Sequence, residues 1–235
     1  MRYIRKRPTP QIITNWINLR NSAIPPQPIV YNEFDKKSDL NQLLREDQHH
    51  ICCYCQQILT HFQGENIGGS HNEHLEPQNG PYAKPLLQMD YDNIFACCNT
   101  TIGMGKKEKN KRHCGDKKGE LLIRGFIQEP TCTNSFKYNN LGEILPNGSY
   151  PSFKEYQANR NSLSKDESEA LNTLEVLNLN SVTLVNDRKK DFDKLFKVMV
   201  RLNKQIIDQK IIDFQQLTHF PRYIDMLLYY MRKKK

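Results

Sequence analysis

Cys52-Cys53-Tyr54-Cys55, His71-Asn72-Glu73-His74-Leu75-Glu76-Pro77, Cys97-Cys98 and Cys114 lie in one polar stretch of the chain. Cys52 and Cys55 stand at Cys-x2-Cys spacing, at which a tight knuckle points two thiolates at one ion. Two more cysteine positions follow on the far side of the His-rich segment. Four thiolates suit a closed tetrahedral zinc site. We assign it to Cys52, Cys55, Cys98 and Cys114, with Cys53 and Cys97 as the alternatives within their pairs. Buried cysteines acting as small hydrophobes are the competing explanation. It suits isolated thiols better than a Cys-x2-Cys pair followed by two further positions. Cys132 stands outside the cluster and reads as structural.

The surrounding composition fits a metal-braced centre. Residues 49–125 are rich in Gly, Asn and Lys and poor in long apolar periods. Such a segment buries too little surface to fold unaided, and a metal supplies the missing stability. The whole chain has 235 residues, 37% hydrophobic and 26% charged, an ordinary globular composition. Its formal net charge of +8 favours a polyanionic partner, because Lys and Arg gain affinity by releasing phosphate counterions. No apolar stretch approaches the length of a bilayer span, so no membrane partner is expected. The basic opening Met1-Arg2-Tyr3-Ile4-Arg5-Lys6 lacks the apolar centre of a signal peptide. A cytoplasmic location is expected, where seven cysteines point to metal rather than disulfides.

Three segments are expected. Residues 1–48 form a basic, partly helical start. Ile12, Ile13, Trp16, Ile17 and Leu19 make an amphipathic run that Pro25-Pro26 ends, and a short helix runs from an N-cap at Ser38 to about Gln48. Residues 49–125 hold the cysteine centre. Residues 126–235 turn helical: Ser164-Lys165-Asp166-Glu167 reads as a capping box. A long helix then follows from about Asp187, with Phe192, Leu195, Phe196, Met199, Leu202 and Ile206 as its core stripe. A last helix runs from Pro221 through Met231. The expected class is α+β, mostly helical.

Glu73 and His74 are the candidates for the chemistry; taken alone the pair reads equally well as a surface pair, and the bracketing cysteines favour the chemical reading. Cleaving a phosphodiester needs a base to deprotonate water and a cation to stabilise the crowded phosphorane. A neutral imidazole is a plausible base at cellular pH, and a carboxylate is a hard ligand suited to Mg2+ or Mn2+. His71 and His113 compete for the metal role, though each reads more readily as a residue behind the ligands or facing solvent. On an extended strand neighbouring side chains face opposite ways, so the strand end must twist for both groups to reach one centre.

Taken with Asp92-Asn93-Ile94-Phe95-Ala96-Cys97-Cys98-Asn99 and Cys114-Gly115-Asp116-Lys117-Lys118-Gly119, these segments resemble the zinc-stabilised HNH endonucleases. More narrowly they resemble PtuB, the HNH component of Septu-type and some retron-linked antiphage systems. The opening Met1-Arg2-Tyr3-Ile4-Arg5-Lys6, Leu177-Asn178-Leu179-Asn180 and Arg188 also look like that subfamily. The resemblance implies a central ββα-metal core with His74 as general base. It implies Glu73 as ligand of a catalytic Mg2+ or Mn2+, Asp116 as second ligand, and Asn93 orienting the loop. It also implies an ATPase partner of the PtuA kind, with a retron reverse transcriptase and its nucleic acid in some systems.

The insert between Cys98 and Cys114 carries Lys106, Lys107, Lys109, Lys111 and Arg112, with Lys117 and Lys118 beyond it. These are the candidate phosphate-gripping residues; a merely solvated basic loop is the alternative. Gly103-Met104-Gly105-Lys106-Lys107 lacks the spacing and the Ser or Thr of a P-loop, so the chain has no ATPase motif of its own. Two functions follow, a metal-dependent nuclease acting on DNA or RNA, or a zinc-knuckle module that binds without cutting. Glu73, His74 and Asn93 separate them, because a pure binder has no need of a base beside a carboxylate.

Overall fold

Ile94-Phe95-Ala96-Cys97-Cys98 is apolar at every position, and the computed structural model buries all five as strand β3 (Ile94–Cys98). Residues 1–62, 69–100 and 111–234 are described. Strand β2 (Gly69–His74) pairs antiparallel with β3, setting His71 opposite Cys97, Glu73 opposite Phe95 and His74 opposite Ile94. The two-residue β1 (His61–Phe62) adds a parallel edge to β2.

The outer edge of β3 is closed by side chains and a loop instead of another strand. Gln48 donates from Nε2 to the Ala96 carbonyl (2.8 Å) and accepts from the Ala96 amide at Oε1 (2.7 Å). The Cys53 amide reaches the same carbonyl at 3.2 Å, and the Lys6 ammonium donates to the carbonyls of Tyr91 and Ile94. Buried backbone groups need such partners wherever the ladder stops. Gln48 follows helix α2 (Lys37–Asp47), whose Leu40 and Leu44 are fully buried. Asn41, also fully buried, donates to Asn72 and accepts from Ser70, both at 2.8 Å, which seats α2 on β2. The helix starts at Lys37 with no side-chain cap, not at a Ser38 cap. Helix α1 (Gln11–Asn21) buries Ile13 and stacks Trp16 edge-on against Phe34.

After the short α3 (Gly115–Lys118) the chain forms a hairpin, β4 (Phe136–Tyr138) with β5 (Ile144–Pro146), then α4 (Phe153–Ala158). Helix α5 (Lys165–Val176) opens on the reciprocal bonds expected of Ser164 and Glu167. Removing such a cap costs about 1 kcal/mol. Ser164→Ala is therefore expected to lower the melting temperature by roughly 2–4 °C, read by circular dichroism.

The expected long helix is two. Helix α6 (Val182–Met199) starts earlier than the sequence suggests and stops at Met199, and α7 (Lys204–Gln216) begins after Asn203, whose side chain accepts from the Ile206 amide. The stripe is split accordingly. Met199 is buried, but Phe196 is 56% and Ile206 43% exposed, so these two are not core. Helix α8 (Ile224–Lys233) closes the chain.

One core draws on every part of the chain, joining Met1 and Ile4 to Tyr54, Phe95, Leu174, Tyr223 and Met226. A second cluster, Met199, Ile207, Phe220, Ile224 and Leu228, seals on Ile51 beside the cysteine knuckle. The architecture is α+β and rich in helix. Among the described residues, no helix is long and apolar enough to cross a membrane.

Candidate active site and metal centre

The knuckle is built by backbone geometry. Gln56 takes a positive φ of 65°, its amide bonds the Cys52 carbonyl (3.1 Å), and the Cys52 amide bonds the Gln57 carbonyl (2.8 Å). This turn points Cys52 and Cys55 inward. Cys98 arrives from the end of β3, and Cys114 from the residue preceding α3. The Cys114 amide is tied to the Leu177 carbonyl at 2.8 Å.

The four sulfurs of Cys52, Cys55, Cys98 and Cys114 all lie within 4.8 Å of one another. The Cys55–Cys98 separation is 3.6 Å and Cys52–Cys114 is 3.9 Å. A tetrahedron with Zn–S bonds of about 2.3 Å requires sulfur separations of about 3.8 Å. The thiol set therefore fits zinc in both chemistry and spacing. All seven cysteines are free thiols. Cys53 and Cys97 form a smaller group with Cys52 and bring no fourth donor. His113 packs against the set, its Nδ1 3.1 Å from the Cys114 sulfur. Cys132 is apart, and burial pushes its thiol up to about 12, which keeps it protonated and inert.

His74 ends β2 with 5% of its surface exposed. Its Nε2 lies 2.9 Å from the Gln88 carbonyl, so that nitrogen carries the proton and donates. Its Nδ1, left with the lone pair, accepts from the Gln78 amide at 2.7 Å. The Tyr31 ring meets the imidazole edge-to-face at 4.6 Å. Burial holds the His74 pKa below the usual histidine value, so the ring is neutral at pH 7.

Asn93 fixes the turn that carries this base. Its Oδ1 accepts from the Glu76 amide (2.7 Å), and its Nδ2 donates to the carbonyls of Glu76 and Leu87 (both 3.1 Å). The Leu75 amide adds a bond to the Asn93 carbonyl at 2.9 Å.

Glu73 faces the other side of β2, as strand alternation requires. One carboxylate oxygen, Oε1, is 3.1 Å from the Lys118 ammonium and 3.5 Å from the Tyr54 hydroxyl. The other, Oε2, is 3.5 Å from His71 Nε2. Burial alone would raise the Glu73 pKa, but His71 and Lys118 hold it below the ordinary carboxylate value, so it is ionised. Burial likewise opposes charge on His71, yet Cys97 and Glu73 hold its pKa well above the usual value in the metal-free chain.

The chain is 24% identical over 223 residues to a Vibrio cholerae (serotype O1 biovar El Tor) protein named Retron Vc95 putative HNH endonuclease. The alignment covers 93% of this chain and 96% of that one. No protein-family profile matches the sequence.

The remaining expected residues fall in different places. Asp116 accepts from the Thr100 amide (2.6 Å) and hydroxyl (2.7 Å), both at Oδ2, so that one carboxylate oxygen is tied to the turn after β3. Lys118 is 2% exposed and donates to the His74 carbonyl at 2.9 Å as well as to Glu73. Its ammonium thus lies inside the site rather than on a phosphate-facing surface. Lys111 and Lys117 are exposed and Arg112 partly so, whereas Lys106, Lys107 and Lys109 lie outside the described residues. The role of Lys118 had no signal in sequence, because a lysine in a Lys-Lys-Gly run reads as solvated. Gln78 and Gln88 likewise act through an amide and a carbonyl that no motif announces.

Proposed function

We propose that this chain is a metal-dependent HNH-type endonuclease, with β2, β3 and α3 as its ββα core and a structural zinc on Cys52, Cys55, Cys98 and Cys114. The observation that carries the reading is His74: a buried, neutral imidazole held by one nitrogen on a backbone carbonyl, with the lone pair of the other accepting from the Gln78 amide, where a water could give up its proton. An ionised carboxylate, Glu73, adjoins it on the same strand. A module that only bound nucleic acid would have no use for either group in that state. The relative named as an HNH endonuclease supports the same reading over nearly the whole chain.

In this reading His74 Nδ1 takes the proton of the attacking water, and the Gln88 carbonyl steadies the imidazolium that forms. Asn93 holds the Leu75–Glu76 turn so that the ring keeps its place. Glu73 would hold a divalent Mg2+ or Mn2+ to supply charge stabilisation to the phosphorane and the leaving oxygen; because it faces away from His74, the end of β2 would have to twist for base and cation to reach one phosphate. Asp116, proposed as second ligand, would join through Oδ1, since both bonds from Thr100 end on Oδ2. The exposed Lys111 and Lys117 and the partly exposed Arg112, together with Lys106, Lys107 and Lys109, would follow the phosphate backbone.

The setting proposed is a retron-linked or Septu-type defence complex in the cytoplasm, with a PtuA-like ATPase as partner. The C-terminal helices are the docking surface proposed for it, since Phe196, Val198 and Val200 leave apolar area that a partner would cover. Purified chain, with and without the neighbouring ATPase, is to be incubated with plasmid DNA and total tRNA in Mg2+. Cleavage that stops on adding EDTA is expected, and the nucleic acid cut identifies the substrate. Tight binding with no cleavage in any mixture would instead establish the zinc-knuckle binding module.

A further inference from the structure

The environment of His71 differs from that of every other histidine in the chain. It stands two residues before Glu73 on β2, and alternation puts both side chains on one face of the strand. Across the ladder it pairs with Cys97, at the end of β3 that enters the cysteine centre. Its Nδ1 lies 2.8 Å from Asn99 Oδ1, an acceptor, so Nδ1 carries a proton and donates. Nε2 is left to face Glu73 Oε2 at 3.5 Å.

Position 115 keeps that meeting point open. A Cβ on Gly115 would come within 2.4 Å of Glu73 Oε2 and 2.8 Å of His71 Nε2. Two donor atoms from one strand therefore converge on a spot that any side chain at the start of α3 would fill. The second oxygen of Glu73 is already taken by Lys118, so Oε2 is the one left to bind. Asp116, on the same short helix, has its Oδ2 occupied by both bonds from Thr100.

We infer that His71 Nε2 and Glu73 Oε2 together form the protein's share of the divalent-metal site, with Asn99 orienting His71 and Lys118 holding the far oxygen of Glu73. This rests on the nuclease reading above and changes its second ligand. An imidazole whose other nitrogen donates to a fixed acceptor is the usual form of a metal-bound histidine. Two protein ligands, with waters and substrate phosphates completing the shell, suit Mg2+ and Mn2+. Gly115 is then a positional requirement, since a side chain there would exclude the ion.

The test uses Mn2+ added to the zinc-loaded full chain, its binding followed by electron paramagnetic resonance. Bound Mn2+ in the wild type is expected to show nitrogen coupling from an imidazole. His71→Ala should abolish that coupling and weaken Mn2+ binding at least about tenfold, with zinc content and circular dichroism unchanged. Asn99→Ala, which keeps the imidazole but frees it, should weaken binding by roughly tenfold or more. That second variant decides the matter if His71→Ala does not fold. Asp116→Asn should weaken binding far less than His71→Ala. Nitrogen coupling that persists in His71→Ala, or a loss in Asp116→Asn as large as in His71→Ala, overturns the assignment. Mg2+-dependent cleavage surviving alongside either result would leave the nuclease reading standing. A wild type that neither bound Mn2+ nor cut nucleic acid would bring down both.

Discussion

Cys55→Ser is expected to release the zinc and to unfold the centre of the chain at 37 °C. A structural zinc contributes about 10–16 kcal/mol of apparent binding free energy in small zinc domains. A whole domain of ordinary size is stable by only about 5–15 kcal/mol. Losing a large part of the first quantity is comparable to the whole of the second. The damage should spread, because the four sulfurs tie together the knuckle, the end of β3 and the start of α3. The knuckle also seats α8, through the Tyr223 amide on the Gln56 carbonyl (3.1 Å) and the Asp225 amide on Gln56 Oε1 (3.2 Å). Metal content by mass spectrometry and melting by circular dichroism read the two effects together. Cys132→Ser, in a buried thiol outside the cluster, should keep the zinc. One zinc retained per chain of Cys55→Ser, with an unshifted melt, would show that the metal, if any, is held elsewhere.

How far the fold could be read from sequence depended on how local the determining interaction is. The capping box at Ser164 and Glu167 is local, and it is present as expected. The Cys-x2-Cys knuckle is local too, and the structure gathers its partners Cys98 and Cys114 beside it. The α6–α7 break was hidden because apolar residues keep a helical spacing across it from Met199 to Ile206. What ends α6 there is Asn203 capping a new helix, which the period does not record. The β4–β5 hairpin is only three residues a side, too short to show alternation.

The site divides the same way. Glu73 and His74 stand out because adjacent acid and base are rare between cysteine pairs. Lys118, His71 and Asn99 acquire their positions from long-range contacts that spacing cannot reveal. Lys118 bonds the His74 carbonyl across the fold, and His71 meets Asn99 only because β2 and β3 pair in this register. The second metal ligand is where this matters most: a linear motif points at Asp116, whereas the ladder turns His71 toward Glu73.

His74→Ala is expected to lower cleavage by roughly 10²–10⁴-fold while zinc content stays at the wild-type level. That loss corresponds to about 2.7–5.5 kcal/mol of transition-state stabilisation. The ring's two nitrogens have different tasks. Nε2 is fixed by the Gln88 carbonyl, and Nδ1 presents its lone pair where the Gln78 amide now donates. A water in the place of that amide would give its proton to the same lone pair. Burial lowers the pKa, which keeps the base ready at neutral pH. Alanine removes the base but leaves Asn93 and its three side-chain bonds holding the turn, so the loss should fall on the chemical step. The expected change is in turnover, with nucleic-acid binding and zinc preserved. Cys55→Ser should do the reverse, losing zinc and fold first and activity only as a consequence. If His74→Ala cut at the wild-type rate, the proton would have to go elsewhere and His74 would be a structural residue. If it lost zinc as Cys55→Ser does, the structural and catalytic centres would be one site rather than two.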